Sequence, residues 1–482
     1  LRAAKGHLQA DQLDLQALRE LTLRWPAAQA LHPALQTHEV AGRVSSLQMR
    51  WQGHGFPPEK YDLQASVQGL NWLPQAPVAT ALPASFSPAM PGVRGADLKV
   101  DMNEATGRFT LQMDKGSALW FPGVLSPAEV PVHSVQARLR WERETHAQGT
   151  HWRVPQWHLK LANADLQGEW HGQWQALPGG AGPGVLDLQG SITRADVTAA
   201  HRYLPLSLPE SVRHYVRDAL VKGQYSDVKV KVQGNLSKLP FAHPEEGEFR
   251  FSGRLKDVSY DMMPASFMSK GAVPWPRLQG LQGQLTFDRL GMKLTDATAR
   301  TGDASNGFVL SAPMTEIADM AHQPLLQVSA ESRASAPQVL NLIRQSPLNA
   351  MLSGVLQEAQ GTGPLQTRFK LNVPLLTPES TQVQGSVQFN GNDLRITSAT
   401  PWLEKIQGTL QFHEGGFGVN KLQAQMLGGP VQIEGGLRAT GSHAGAAAAS
   451  GTVAASGAEP AVLFHAQGRG SETALRAARE IF

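Results

Sequence analysis

The sequence lacks cysteine altogether: none of its 482 residues is Cys. This absence excludes disulfide bonds, thiol catalysis and cysteine-based zinc or iron–sulfur sites, and it is compatible with an oxidising compartment such as the periplasm. Charged residues are also scarce, at 17% against the ~25% of ordinary soluble domains. The net charge is +3 and the basic residues are scattered singly. We therefore expect no nucleic-acid partner, because the basic footprint that such binding needs is missing.

Long hydrophobic runs are missing too. The uncharged segment from Leu70 to Val93 is interrupted by prolines, and Ala439 to Ala458 consists mostly of Ala, Gly and Ser. Neither composition suits a helix that spans a bilayer, and no signal peptide is recognisable. We expect any membrane anchor to lie in sequence outside this chain.

Catalytic and metal-binding signatures are absent as well, since no HExxH, P-loop, GxSxG or dinucleotide fingerprint occurs. The tightest histidine group is His146, His151, His158 and His171, which we interpret as polar-face strand residues in preference to a metal site. The carboxylate pairs Glu245 with Glu246 and Asp296 with Asp303 favour solvated loops over glycosidase chemistry. We expect no enzymatic activity, no metal and no cofactor.

What the sequence has in abundance is alternation of apolar and polar residues. Val135, Leu139 and Trp141 point to one side of a predicted strand, while Gln136 and Arg138 point to the other. The same period of two recurs from Leu47 to Ile433, with Gly, Asn and Asp turns between the segments. This pattern is typical of half-buried strands in an antiparallel meander.

Helical signals are few. The clearest runs from Pro209 to Lys222, with Gly223 just past its end. A second runs from Pro337 to Ile343 and resumes at Leu348 to Leu352, and weaker ones lie at Asp14 to Arg24 and Glu472 to Ile481.

An internal repeat indicates a modular array. The apolar and glycine positions of Leu278 to Leu294 align without a gap on those of Leu403 to Val419, at an offset of 125 residues. Repeated units of this kind stack on their neighbours. We predict β-groove modules at 1–200, at 201–335 (opening with helix 209–222) and at 336–437 (opening with helix 337–352). An Ala/Gly/Ser-rich linker follows at 438–460, and a truncated further module at 461–482.

The apolar strand face suggests a ligand. A sandwich covers such a face with a second sheet, whereas an open sheet leaves a continuous apolar trough, and large exposed apolar surfaces usually bind a partner. We therefore predict a mainly β fold: an elongated, repeat-built antiparallel sheet curved into an open, taco-like apolar groove, for which a lipid is the natural ligand. Two alternatives stay open: a β-repeat glycan-binding or adhesin-like module with exposed Trp platforms, and a structural spacer with a closed, dry core.

Several segments carry a resemblance to a known family. They are Tyr203-Leu204-Pro205 with Leu208 to Val212 and the helix to Gly223, Val228 to Gly234 with Pro240-Phe241, Tyr260 to Pro276 with Leu281-Gln282-Gly283, and Gly428 to Gly435. In these segments the chain resembles the AsmA-like proteins of Gram-negative bacteria, of the YhdP type, over most of residues 1 to 437.

The resemblance implies a periplasmic protein that is anchored to the inner membrane and carries phospholipid toward the outer membrane along a long β-groove. It also implies an inner-membrane anchor and an outer-membrane contact supplied by parts outside this chain, and no catalytic residues. We predict that the groove is lined by the apolar strand residues Val135, Leu139, Trp141, Val228, Val230, Val232, Phe249, Phe251, Leu281, Leu285, Phe287, Phe369, Leu371, Val387, Phe389, Ile406, Leu410, Phe412, Val431 and Ile433.

Overall fold

The computed structural model describes residues 5–26, 29, 32–53, 58–74, 91–146, 149–177, 182–302, 306–414, 416–438 and 462–468. These residues form strands with antiparallel partners and a few short helices, which confirms the predicted fold class. The predicted linker at 438–460 lies outside the described residues except for its first residue, as does the predicted helix from Glu472 to Ile481.

The chain divides into two compact units. The first unit contains Leu1–Arg217, Gln224–Arg254 and Phe287–Arg289, and the second contains Asp218–Gly223, Leu255–Thr286 and Leu290–Phe482. The module boundaries drawn from the sequence stay predictions.

Strands of the first unit follow one another as a meander. Neighbours in sequence pair antiparallel, in the order β1, β3, β4, β5, β6, β8, β9, β10, β11, β12. Their bounds are β1 Lys5–Ala10, β2 Leu13–Asp14, β3 His38–Gln52, β4 Lys60–Pro74, β5 Gly92–Asn103, β6 Thr106–Trp120, β7 Glu129–Pro131, β8 Ser134–His146, β9 Gly149–Ala162, β10 Leu166–Gln175, β11 Val185–Asp196, β12 Leu220–Asn235 and β13 Gly247–Tyr260, the last two extending into the second unit.

The second unit repeats this arrangement, with antiparallel pairing in the order β15, β16, β17, β19, β20, β21, β22, β23, β24. The bounds are β14 Leu278–Asp288, β15 Gly291–Thr301, β16 Phe308–Ile317, β17 Leu325–Ser335, β18 Gln360–Gly361, β19 Pro364–Pro374, β20 Gln382–Arg395, β21 Leu403–His413, β22 Gly416–Met426, β23 Gly429–Arg438 and β24 Val462–Gly468.

Five α-helices lie in the described residues: α1 Leu15–Arg24, α2 His32–Gln36, α3 Glu210–Ala219, α4 Ala336–Arg344 and α5 Leu348–Met351. Helix α1 begins at Asp14, whose carboxylate accepts the N–H of Ala17 at 3.0 Å. Helix α4 begins with a capping box in which Ser335 and Gln338 each accept the other's backbone N–H. These side chains satisfy amide groups that the first helical turn leaves unpaired.

Helix α3 ends three residues earlier than the sequence predicts. It was expected to reach Lys222, but β12 begins directly at Leu220. Gly223 is therefore a strand residue with φ +124°, packed so tightly on the backbone of Val258 that a Cβ would lie 2.5 Å from its Cα. The glycine serves a close approach of two backbones and not the helix terminus.

The repeated hairpin is confirmed. Strands β14 and β15 have the bounds of β21 and β22 shifted by 125 residues at all four ends. Both copies consist of two strands, as the alignment predicts.

Candidate functional site

One face of the first unit carries four parallel rows of apolar side chains. Residues that are directly paired across strands point to the same side of a sheet, so the register defines each row. The deep row is Ala96, Met113, Val135, Leu161, Gly168, Ile192 and Val228; the second row is Val67, Leu98, Leu111, Ala137, Leu159, Trp170, Gly190 and Val230; the third row is Leu47, Ala65, Val100, Phe109, Leu139, Trp157, Gly172, Leu188 and Val232; the outer row is Met49, Leu63, Met102, Gly107 and Trp141.

Along β8, burial decreases from the deep row outward. Met113 and Val135 in the deep row are each 1% exposed, and Leu15 and Leu18 of α1 pack against their cluster. Phe109, Leu139 and Trp141 in the third and outer rows are only half-buried. The helix thus covers part of the deep row, while Phe109, Leu139 and Trp141 keep access to solvent or to a ligand.

Tryptophans in this face lie over glycines of the neighbouring strand. A Cβ added to Gly107 would overlap the ring of Trp141, and one added to Gly190 would overlap that of Trp170. Each pair is in direct register. Because glycine leaves the backbone uncovered, the indole can lie against the sheet, which keeps these large rings within the apolar surface.

The second unit presents an equivalent face. Its rows are again read from the register: Ala334, Leu365, Phe389 and Gly408; Ser332, Thr367, Val387, Leu410, Val419 and Gly435; Ala330, Phe369, Gly385, Phe412 and Phe417; and Val328, Leu371 and Val383. Leu365, Phe389 and Ile406 are buried in a cluster that includes Ala336 of α4. Phe369, Leu371 and Phe412 are half-buried.

The opposite face of both units is polar and exposed. It carries cross-strand ion pairs such as Lys160 with Glu169 at 3.4 Å and Lys293 with Glu316 at 3.0 Å. Exposed pairs of this kind contribute at most about 1 kcal/mol each. Their function here is to keep that face in water, so the sheet is strongly one-sided.

The predicted groove residues fall into two groups. Eight are buried: Val135, Val228, Val230, Val232, Leu281, Phe389, Ile406 and Val431. The other twelve are half-buried: Leu139, Trp141, Phe249, Phe251, Leu285, Phe287, Phe369, Leu371, Val387, Leu410, Phe412 and Ile433. Phe249 and Phe251 pack against the Val228 cluster, with ring centroids 5.1 Å apart. The half-buried group is the better candidate for ligand contact.

Sequence reasoning left several members of the face out. Strands β4, β11 and β17 were not recognised, although Leu63, Leu188 and Val328 belong to the rows. In β11 the alternation is interrupted by Gly190, which occupies an inward position. The signal that would have found this strand is a glycine standing opposite a tryptophan.

The ionisable groups form structural contacts. Tyr203 donates to Asp165 at 3.0 Å and accepts from Asn163 at 2.8 Å, and burial raises its pKa to about 12. Glu246 accepts the backbone N–H of His243, which lowers the pKa of this carboxyl, and it also pairs with Lys238. The contacts of Tyr203 and Glu246 therefore stabilise turns of the chain.

The histidines interpreted as polar-face residues follow that interpretation where they are described. His158 and His171 are paired across β9 and β10, between two pairs of the apolar face, Leu159 with Trp170 and Trp157 with Gly172, so both point to the opposite, polar face. Within the described ranges no three His, Asp or Glu side chains come together as metal ligands. The side chain of His146, and Asp303 as a whole, lie outside the described residues.

None of the helices that the structure describes has the length and apolar content needed to cross a bilayer.

Fold and site together define a class: a mainly antiparallel β protein whose sheet has one apolar face and one charged face. The sequence matches the family model described as YhdP protein over residues 1–465. The chain therefore belongs to the YhdP family, as the resemblance implied. No curated protein and no solved structure matches it.

Proposed function

We propose that this chain is a non-enzymatic lipid-transfer protein of the Gram-negative envelope, whose apolar face carries the acyl chains of phospholipids between the inner and outer membranes. The observation that carries the proposal is the half-buried outer part of that face. Phe109, Leu139, Leu371 and Leu410 stand in rows of mainly apolar side chains, yet each keeps part of its surface exposed. Apolar surface of this extent gains free energy when acyl chains cover it, at roughly 25 cal/mol per Å².

The mechanism that follows is passive. Acyl chains lie against the rows, while the polar head group stays at the water-accessible ends of the strands. Each row continues from strand to strand with similar side chains, so a lipid moving along it exchanges one apolar contact for another at little cost. Such a surface has no intrinsic direction, and net flow requires a bias from outside it.

Two observations favour a lipid over the alternatives. A glycan platform needs flat, solvent-exposed indoles, but Trp141, Trp157 and Trp170 lie within the apolar rows. A spacer with a dry core needs the whole face buried, but twelve of the predicted groove residues, among them Leu139, Leu371 and Leu410, are only half-buried. Membership of the YhdP family supports the proposal, of which a periplasmic location and anchoring to the inner membrane are part.

Lipid occupancy of matched aspartate variants tests the proposal. Leu410→Asp places a carboxylate in the apolar row, whereas Gln411→Asp places the same charge on the exposed polar face one residue away. A buried unpaired carboxylate is costly unless it is neutralised, so we expect phospholipid per protein to fall several-fold in L410D and to stay at the wild-type level in Q411D. Native mass spectrometry after gentle extraction measures the occupancy.

Thermal unfolding of the same proteins separates binding from folding. L410D is expected to unfold cooperatively, because the half-buried position admits water when lipid is absent. Wild-type protein that carries no phospholipid, or L410D that keeps its full complement, would contradict the proposal. Collapse of L410D, with no lipid on the wild type, would favour the spacer.

A further inference from the structure

The outer ends of β8 and β9 hold a cation above aromatic rings. Arg143 and Trp152 are directly paired, and the guanidinium carbon lies 5.9 Å from the indole centroid. The centroid of Trp152 lies 5.2 Å from that of Trp141, the last residue of the outer row. The apolar face of the first unit therefore ends at a surface where an arginine stacks on an indole.

The carboxylates next to Arg143 in sequence form ion pairs with other arginines. Glu142 pairs with Arg140 at 2.9 Å and with Arg153 at 2.6 Å, and Glu144 pairs with Arg153 at 3.5 Å. Among the residues that the structure describes, none places a carboxylate within ion-pair distance of the Arg143 guanidinium. The stacked guanidinium keeps its N–H donors for a further acceptor.

The outer end of β4 carries a phenol. Burial raises the pKa of Tyr61, the charge of Arg143 opposes this increase, and the charge of Glu104 adds to it. Tyr61 pairs with Trp51 on the same apolar face. The carboxylate of Glu104 contacts the same strand: its Oε2 accepts the backbone N–H of Tyr61 at 3.1 Å.

We propose that Arg143, which lies over the ring of Trp152, binds the phosphate of a phospholipid whose acyl chains lie on the outer and third rows. Guanidinium groups bind phosphate oxygens in a two-pronged geometry, and tryptophan and tyrosine favour the boundary between apolar and aqueous surroundings. The inference rests on the proposed lipid-carrying function and assigns its head-group contact.

Three probes separate the parts of this interaction: a short-chain phosphatidylglycerol, a diacylglycerol with the same acyl chains, and glycerophosphate without chains. Arg143→Gln removes the charge at the proposed site. Arg138→Gln removes the same charge from the same strand but from its exposed polar face, which makes it the matched control. Dissociation constants are measured for the full chain and both variants.

We expect the wild type and R138Q to bind the phosphatidylglycerol about tenfold more tightly than the diacylglycerol, as one charge-assisted contact allows. In R143Q this preference should disappear, with diacylglycerol binding unchanged. An undiminished preference in R143Q would overturn the phosphate site and leave the proposed function intact. A wild type that binds neither lipid would overturn both. Glycerophosphate bound as tightly as the phospholipid would make this a site for free phosphate and overturn the head-group assignment.

Discussion

At the scale of single residues, the apolar face depends on glycines that stand opposite aromatic rings. Gly6 faces Trp51, Gly107 faces Trp141 and Gly190 faces Trp170 in the first unit. Gly385 faces Phe412 in the second. A ring that lies on a glycine buries its own surface and the bare backbone together. The glycine opposite each ring therefore determines where that ring lies, because a larger residue at the same position would not leave room for it.

Substitution of one such glycine tests the ring placement. Gly107→Ala puts a methyl group where the Trp141 ring lies, so the ring has to move, and we expect the free energy of unfolding to fall by about 1–3 kcal/mol. Gly418→Ala is the control, because its Cβ would meet nothing closer than the carbonyl oxygen of Gly435 at 3.8 Å. Urea unfolding measures stability, and near-ultraviolet circular dichroism reports on the indole. Equal stability of the two variants would place Trp141 elsewhere.

At the scale of elements, the two copies of the repeated hairpin have backbone irregularities at equivalent positions. Left-handed backbone occurs at Gly280 and Lys405 and at Asp296 and Lys421, each pair 125 residues apart. The register of β21 and β22 shifts near the two lysines. Such bulges bend a strand and increase its twist. The sequence predicts the strands but not these bends, because lysine and aspartate at a left-handed position leave no pattern that distinguishes them from ordinary exposed strand residues.

A pair of glycine substitutions in β22 tests the bulge. Lys421 has φ 55°, a backbone conformation that is unfavourable for a residue with a Cβ. Lys421→Gly should therefore not lower the free energy of unfolding, and should raise it by at most about 1 kcal/mol. Gln423→Gly, two residues on in ordinary strand conformation, should lower it by about 0.5–1 kcal/mol. Chemical denaturation compares the two. Equal destabilisation by both substitutions would rule out the left-handed conformation at Lys421.

At the scale of the whole chain, alternation was sufficient to predict an antiparallel sheet and, for the strands that it identified, the side on which the apolar residues lie. It did not separate Val135 and Ile406, which the clusters next to α1 and α4 bury, from Leu139 and Leu410, which stay half-buried. That difference depends on where a helix packs against the sheet, and the strand sequences contain no signal for it. The sequence does not predict Arg143 as a site residue for a related reason, since the two rings beside it, Trp141 and Trp152, come from different strands.

Site-specific photo-crosslinking to bound phospholipid shows whether acyl chains contact the half-buried side of the sheet. A photoreactive residue is introduced at Leu371 or Leu410 on the apolar face and, for comparison, at Lys370 or Gln411 on the polar face. We expect lipid adducts, identified by mass spectrometry, at Leu371 and Leu410 and none at Lys370 and Gln411. Absence of adducts at the apolar positions, or equal yields on both faces, would contradict this expectation.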